Sequence, residues 1–225
     1  MAPPRTLPEA LAEAAQSGEG YVFAARDAET RRSYAEMFDA AQRAASVFRA
    51  TGLRRGDLVA LIVDEAEWFL TALFGASSAG VIPASLYPPS TSSDRRRYLE
   101  ATAAILRNAR ARAVVTTAAL ASELEEMRST CPDLDSVISA ADLQAGTMPC
   151  AGAPLTESTR VVPAFSPGGV SIDDIAFVQF TSGSTSAPKG VAVTHRSLAA
   201  NIEAINGPAG LASSSSSSGP KPYGV

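Results

Sequence analysis

The feature that most constrains the fold is an alternation of strand-like and helix-like segments across residues 20–140, centred on the uninterrupted apolar run 58–63. A strand that is apolar at consecutive positions is buried on both faces, which is typical of a parallel sheet covered by helices. Further strand-like runs follow at 81–87, 113–116 and 136–139. The alternation therefore predicts an α/β fold with mainly parallel sheets flanked by helices.

Capping residues and apolar spacing place the helices between these strands. Thr6 with Glu9, and Ser33 with Glu36, have the pattern of a capping box at a helix start. The second of these helices should run to about residue 51, because Gly52 favours a helix end. A third helix is predicted to start at 64–67, with Trp68, Leu70, Leu73 and Phe74 as its large apolar residues. The remaining elements are predicted as a strand at 21–25, a polar turn at 27–32, helices at 93–111 and 118–128, a surface connection at 145–169, strands at 175–180 and 191–194, and a last helix through 206.

Composition restricts the class of protein. The chain has 225 residues, of which 46% are hydrophobic and 19% charged, with a net charge of −4. Such a balance fits a globular body and gives no reason to expect nucleic acid. No basic segment leads into an apolar leader, and no apolar stretch is long enough to span a membrane. Cys131 and Cys150 lie far apart in the sequence and only one histidine is present, so a zinc site is not expected. Two widely separated cysteines are expected to be reduced thiols, which predicts a cytoplasmic location.

A hydroxyl-rich segment between two apolar runs is the candidate binding site of the chain. Its residues are Thr181, Ser182, Gly183, Ser184, Thr185, Lys189 and Gly190. Hydroxyls, backbone N–H groups and one ammonium can surround an oxyanion, and glycine lets the backbone approach a ligand closely. The segment is therefore interpreted as a phosphate-binding loop.

Three other kinds of segment share some of these residues but fit the sequence less well. A Walker P-loop requires glycine before the lysine and Ser or Thr after it, whereas Pro188 precedes Lys189 and Gly190 follows it. The S-x-x-K spacing from Ser186 to Lys189 matches penicillin-recognising enzymes, but Pro188 discourages the helix that this motif needs. An ordinary solvated connection would resemble the serine run at 213–218, which lacks a lysine and flanking apolar strands.

The segment F-T-S-G-S-T-S-A-P-K-G-V, followed by T-H-R, resembles the phosphate-binding signature of adenylate-forming enzymes, which include acyl-CoA synthetases, fatty acyl-AMP ligases, luciferases and peptide-synthetase adenylation domains. The patterns S-Y-x-E and G-L-x-x-G-D-x-V-A near the amino terminus also resemble the opening of these enzymes. Ser186 stands where most of the superfamily has glycine, and Pro88-Pro89 follows Tyr87. Both features resemble the fatty acyl-AMP ligase branch.

The resemblance implies the amino-terminal portion of the large domain of an adenylate-forming enzyme. By this resemblance the loop residues named above would hold the β- and γ-phosphates of ATP, with Mg²⁺, while a fatty or other carboxylate attacks the α-phosphorus. The acyl-adenylate would then pass its acyl group to an acyl carrier protein or coenzyme A. An acyl-CoA synthetase, a peptide-synthetase adenylation domain, and a non-catalytic fragment that only binds phosphate stay open as alternatives. No residue is assigned as a catalytic group or a metal ligand.

The resemblance ends after Asn206. Residues 1–206 are therefore expected to be an incomplete amino-terminal portion of an AMP-binding domain, and 207–225 a low-complexity Ser/Gly/Pro tail. The residues for adenine, ribose and the acyl pocket cannot be assigned in this chain, which is expected to be inactive alone. An incomplete sheet should also expose an apolar edge and a helix face, so the isolated chain is expected to aggregate or to need a partner.

Three conspicuous features are expected to be structural. His195 is predicted to make a structural hydrogen bond at a helix start rather than to act as a general base. Pro88-Pro89 is interpreted as a rigid exit from a strand, and Arg95, Arg96 and Arg97 as a solvated helix face.

Overall fold

A computed structural model describes residues 5–24, 28–89, 94–147, 169–181 and 189–206. The helices are α1 (Leu7–Ala14), α2 (Tyr34–Ala50), α3 (Ala66–Ala79), α4 (Arg95–Ala109), α5 (Ala118–Glu126), α6 (Ala140–Ala145) and α7 (His195–Asn206). The strands are β1 (Gly20–Ala24), β2 (Glu29–Ser33), β3 (Leu58–Ile62), β4 (Ile82–Ser85), β5 (Ala113–Thr116), β6 (Ser136–Ser139), β7 (Ile175–Thr181) and β8 (Lys189–Thr194).

Six of these strands form one sheet in the order β6-β5-β3-β4-β7-β8, and β1 and β2 form a separate antiparallel hairpin. Every neighbouring pair in the large sheet is parallel except β7 with β8. The strand β3 lies inside the sheet, as its continuous apolar character requires. The predicted α/β class with a mainly parallel sheet is confirmed.

The two faces of β3 contribute to two separate cores. Val59 and Leu61 pack with residues of α2, α3 and α6, whereas Ala60 and Ile62 pack with residues of α4 and α5. All four side chains have no exposed surface. Helices therefore cover both faces of the sheet, which leaves its edges as the places where loops can form a site.

The capping boxes are confirmed. The Thr6 side chain accepts from the Glu9 N–H while the Glu9 carboxylate accepts from Thr6, and Ser33 and Glu36 form the same arrangement at the start of α2. Each cap satisfies backbone donors that the first helical turn leaves without partners.

Several predicted boundaries are wrong. The polar stretch predicted as a turn at 27–32 contributes to β2, whose ladder with β1 pairs Glu29 with Ala24 and Ser33 with Gly20. The strand predicted at 81–87 is shorter, and the short helix α6 was not predicted. A hairpin strand held by backbone pairing needs no apolar periodicity, which explains the first error. Most of the connection predicted at 145–169 and the whole tail at 207–225 lie outside the described residues.

The edge formed by β8 and α7 exposes apolar side chains. Val191 is 51% exposed on β8, and Ile202 and Ile205 are 48% and 47% exposed on α7. An edge strand with apolar neighbours invites association. We expect sedimentation velocity to show concentration-dependent self-association of the chain, and we expect I202E/I205E to shift it towards monomer.

The matched control for that experiment is N201E/A204E, which adds the same charges at the same spacing on exposed positions of α7. This control should associate as the wild type does. A wild-type chain that stays monomeric at all concentrations would contradict the prediction. So would equal behaviour of the two variants.

Candidate functional site

The hydroxyl-rich segment joins β7 to β8 as a hairpin at one edge of the sheet. Thr181 pairs with Lys189 and Phe180 pairs with Gly190, so the ladder continues to the last residue of β7 and the first of β8. The strands thus include three residues that the sequence placed in the loop, and the connection is shortened to 182–188. Thr181 and Lys189 are brought opposite each other at its base.

Gly190 is closely packed at the base of this hairpin. A Cβ atom on Gly190 would lie 3.0 Å from Cε1 of Phe180 and 3.1 Å from Cγ1 of Val178. These distances are tighter than ordinary van der Waals contacts, so a side chain at residue 190 would require the Phe180 ring or Val178 to shift by a few tenths of an ångström. Phe180 itself packs against the core beneath α4 and α5.

The hairpin opens at the carboxyl end of a parallel strand. Its strand β7 lies beside β4, with Ala84 level with Val178 and Ser85 level with Gln179. Loops at the carboxyl ends of parallel strands are where α/β folds bind ligands. Lys189 is exposed there. Of the other predicted binding residues, Ser182, Gly183, Ser184 and Thr185 lie outside the described residues, and Thr181 is described by its backbone alone.

A second group of polar side chains lies at the other end of these same two strands, where β7 begins and β8 ends. The Arg55 guanidinium donates to the Asp174 carboxylate at 2.5 Å, and the Ser171 N–H donates to the same carboxylate at 2.8 Å. Burial by itself would raise the pKa of Asp174, but these two donors hold it below its usual value. Sequence reasoning missed this ion pair, because its partners are 119 residues apart and lie in unrelated motifs.

His195 belongs to this second group. It is 1% exposed, and its Nδ1 accepts a hydrogen bond from the Leu7 N–H at 3.1 Å. Six residues of extended strand, about 20 Å, separate it from Lys189. The expected structural hydrogen bond at the helix start is confirmed, and the distance argues against proton transfer at the hydroxyl-rich loop.

The described residues also enclose a cleft of about 430 Å³ lined by Arg55, Ser77, Asp173, Asp174 and His195, among others. The cleft lies at the amino-terminal edge of the sheet, away from the Thr181–Lys189 pair. We therefore do not assign the phosphate-binding role to it. Within the described ranges, no three His, Cys, Asp or Glu side chains converge as a metal site would require.

Comparison with known proteins identifies the family. A family profile described as AMP-binding enzyme matches residues 11–217. The chain belongs to the AMP-binding enzyme family. One similar protein is the 4-hydroxybenzoate–CoA/benzoate–CoA ligase of Rhodopseudomonas palustris, which is 31% identical over 80% of this chain and 31% of the relative. The crotonobetaine/carnitine–CoA ligase of Citrobacter koseri is 30% identical over 86% of this chain and 37% of the relative.

Solved structures agree with the fold. A structure from a study of fatty acyl-adenylate ligases of E. coli and L. pneumophila matches with a TM-score of 0.72 and 31% identity, covering 90% of this chain and 34% of that one. A McyG A-PCP structure complexed with phenylalanyl-adenylate matches with a TM-score of 0.68 at 24% identity, covering 90% of this chain and 30% of that one, which supports the fold alone. The chain spans about a third of the length of these relatives. None of its described helices is both long enough and apolar enough to cross a bilayer.

His195 should make the stability of the folded chain depend on pH. Burial lowers the pKa of His195 below its ordinary value of 6.5, although the charges of Asp174 and Glu9 oppose that shift. The folded state then binds fewer protons than the unfolded state, so the contribution is complete above about pH 6.5 and is lost as the pH falls below it. We expect urea unfolding to show lower stability at pH 5.5 than at pH 7.5.

The control for this prediction is His195→Gln, which removes the chain's one histidine. Its free energy of unfolding should change much less between the two pH values. Equal pH dependence in the two proteins would show that another group is responsible.

Proposed function

We propose that this chain provides the phosphate-binding part of an adenylate-forming acid ligase. The carboxylate oxygen of the acid attacks the α-phosphorus of ATP, and the bond from that phosphorus to the pyrophosphate oxygen breaks. The products are an acyl-adenylate and pyrophosphate. The observation that carries the proposal is the hairpin of β7 and β8, which places Lys189 at the base of a hydroxyl-rich loop at the carboxyl edge of a parallel sheet.

The residues present fit a polyphosphate. Lys189 supplies a point charge, while Thr181, Ser182, Ser184 and Thr185 supply hydroxyl donors and Gly183 allows close backbone approach. The open side of Gly190 faces Phe180 and Val178 instead. Phosphoryl chemistry depends mainly on holding charge and aligning the nucleophile, which is what such a loop can do. The segment 181–190 contains no carboxylate. We infer that Mg²⁺ is held through the phosphates of ATP rather than by this loop.

We propose a fatty acid as the substrate. Support comes from the fatty acyl-adenylate ligase structure at 31% identity and from the Tyr87-Pro88-Pro89 and Ser186 features that resemble that branch. The second candidate is an acyl-CoA synthetase, which is favoured by the similarity to curated CoA ligases. The two differ in the acceptor, which is an acyl carrier protein for the first and coenzyme A for the second.

Nucleotide binding tests the proposal directly. Titration of the chain with a fluorescent ATP analogue and Mg²⁺ should show saturable binding, and pyrophosphate should compete. Lys189→Ala removes one charge-assisted contact worth about 1.5–3 kcal/mol, so we expect binding to weaken by roughly 10- to 100-fold.

The matched control is Lys221→Ala, because the sequence contains only these two lysines. It removes the same charge outside the loop and should leave the affinity unchanged. Equal loss in the two variants would indicate non-specific charge effects, and unchanged binding by Lys189→Ala would remove the phosphate role from the loop.

A further inference from the structure

Three apolar side chains of β7 enter one core at a spacing that a regular strand does not allow. Ile175, Val178 and Phe180 all pack in the core that α4 and α5 cover. Side chains of a regular strand alternate between its two faces, so residues three positions apart point in opposite directions. The strand must therefore change phase between Ile175 and Val178.

A β-bulge at Ala176 supplies this change of phase. The two residues that flank Ala176 are level with consecutive residues of β8, Val193 and Thr194, so Ala176 has no partner in the described β7–β8 ladder. One extra residue reverses the faces of all later positions of the strand. Phe180 is thereby directed into the core and brought level with Gly190.

The ring of Phe180 supports the backbone of β8. This strand is the last of the six-stranded sheet and pairs with β7 on one side. A Cβ atom on Gly190 would lie 3.0 Å from Cε1 and 3.4 Å from Cζ of Phe180, so the ring rests against the backbone at that position. Because the same ring also packs in the core, it limits how closely the β8 backbone can approach that core.

Lys189 lies next to this contact. It precedes Gly190 in β8 and forms the outermost pair of the ladder with Thr181. Neighbouring residues of a strand point to opposite faces, so Lys189 lies on the face away from the Phe180 ring. The ring therefore makes no phosphate contact itself, but it determines where the backbone that bears the ammonium lies. Misplacing a group that acts on a ligand by about 1 Å can cost about 100-fold.

We propose that Phe180 is a positioning residue for Lys189 and acts through the backbone at Gly190, an inference that rests on the proposed function. The sequence suggested Gly190 as a binding residue, but its contribution is room for the ring rather than a contact with phosphate. Residue 180 thus changes the affinity for a polyphosphate without touching it. A core residue with no such role would change stability alone.

The test is a titration of four proteins with a fluorescent ATP analogue and Mg²⁺. They are the wild type, Phe180→Leu, Gly190→Ala and F180L/G190A. Gly190→Ala should weaken binding by about fivefold in the wild type, because the new methyl group pushes β8 away from the ring. In the Phe180→Leu background the methyl group has room, so the same change should cost less than about twofold. Phe180→Leu alone should weaken binding by about three- to tenfold.

The matched control is Phe177→Leu, which makes the same truncation in the same strand. Phe177 is half-buried and level with Val193, at the end of the hairpin away from the loop. This variant should bind the analogue within about twofold of the wild type. Urea unfolding of both leucine variants accompanies the titration. We expect both to lose stability and only Phe180→Leu to lose affinity.

A second measurement does not use ATP. Reductive methylation with isotope-labelled formaldehyde gives an NMR signal to each of the two lysines of the chain, Lys189 and Lys221. Lys189→Arg assigns the signals. Gly190→Ala and Phe180→Leu should shift the Lys189 signal, Phe177→Leu should leave it in place, and the Lys221 signal should stay unchanged in all variants.

Three outcomes would overturn the positioning role. Gly190→Ala could cost the same in both backgrounds, Phe180→Leu could bind the analogue as Phe177→Leu does, or the Lys189 signal could stay in place in Gly190→Ala and Phe180→Leu. The two measurements keep this proposal distinguishable from the proposed function. A shifted Lys189 signal in a chain that never binds ATP would count against the proposed function alone.

Discussion

Leu61→Ala is expected to destabilise the fold by about 3–5 kcal/mol, because the side chain is fully buried in a central strand. Leu61 packs in the core that also contains Phe48, Val115 and Ile138, so its truncation leaves a cavity between the sheet and α2. A domain of this size is stabilised by only about 5–15 kcal/mol in total. The variant should therefore lose a large share of its stability.

Urea unfolding followed by Trp68 fluorescence measures this loss, because the chain's one tryptophan packs against the same core. Leu61→Val should cost less, about 1–2 kcal/mol, and gives a measurable value if the alanine variant does not fold. Val22→Ala, at a half-exposed position of β1, is the control and should change stability by no more than about 1 kcal/mol. Equal effects at Leu61 and Val22 would contradict the assignment of β3 to the core.

Gly75→Ala is expected to destabilise the protein by about 1–3 kcal/mol, although alanine is the better helix former. Gly75 lies in α3 where it crosses α2, and a Cβ atom there would be 2.5 Å from Cβ of Ala44 and 3.2 Å from the Ala41 carbonyl oxygen. Neither atom is the end of a flexible side chain, so the helices must move apart. Helix propensity alone would stabilise by about 1 kcal/mol, and the sign of the effect therefore distinguishes the two causes.

A double-mutant cycle with Ala44→Gly tests the contact itself. Ala44→Gly should cost about 1 kcal/mol alone through helix propensity, but it removes the atom that Gly75→Ala would strike. The double variant should consequently be more stable than the sum of the two single changes predicts. Additive effects, or a stabilised Gly75→Ala, would show that the helices are not in close contact at this point.

Local patterns were sufficient for most elements. Thr6 and Ser33 identify their helices because a capping box joins residues only three positions apart. The apolar run identifies β3 because a strand buried on both faces must be apolar at consecutive positions. The strand β2 was missed because its pairing with β1, rather than its own polar sequence, makes it a strand. The hydroxyl-rich loop was also recognised from its residue types alone. Its phosphate-binding role stays a prediction.

The sequence by itself determined the α/β class, the positions of the main helices and strands, and the chemistry available between β7 and β8. The order of strands in the sheet was decided only by the tertiary structure, as were the pairing of Thr181 with Lys189, the ion pair of Arg55 with Asp174 and the contact of His195 with Leu7. The physical reason is the separation along the chain of the residues that interact. Helix caps and strand periodicity act between near neighbours, whereas these contacts depend on how distant segments pack, and a single sequence carries no local signal for that.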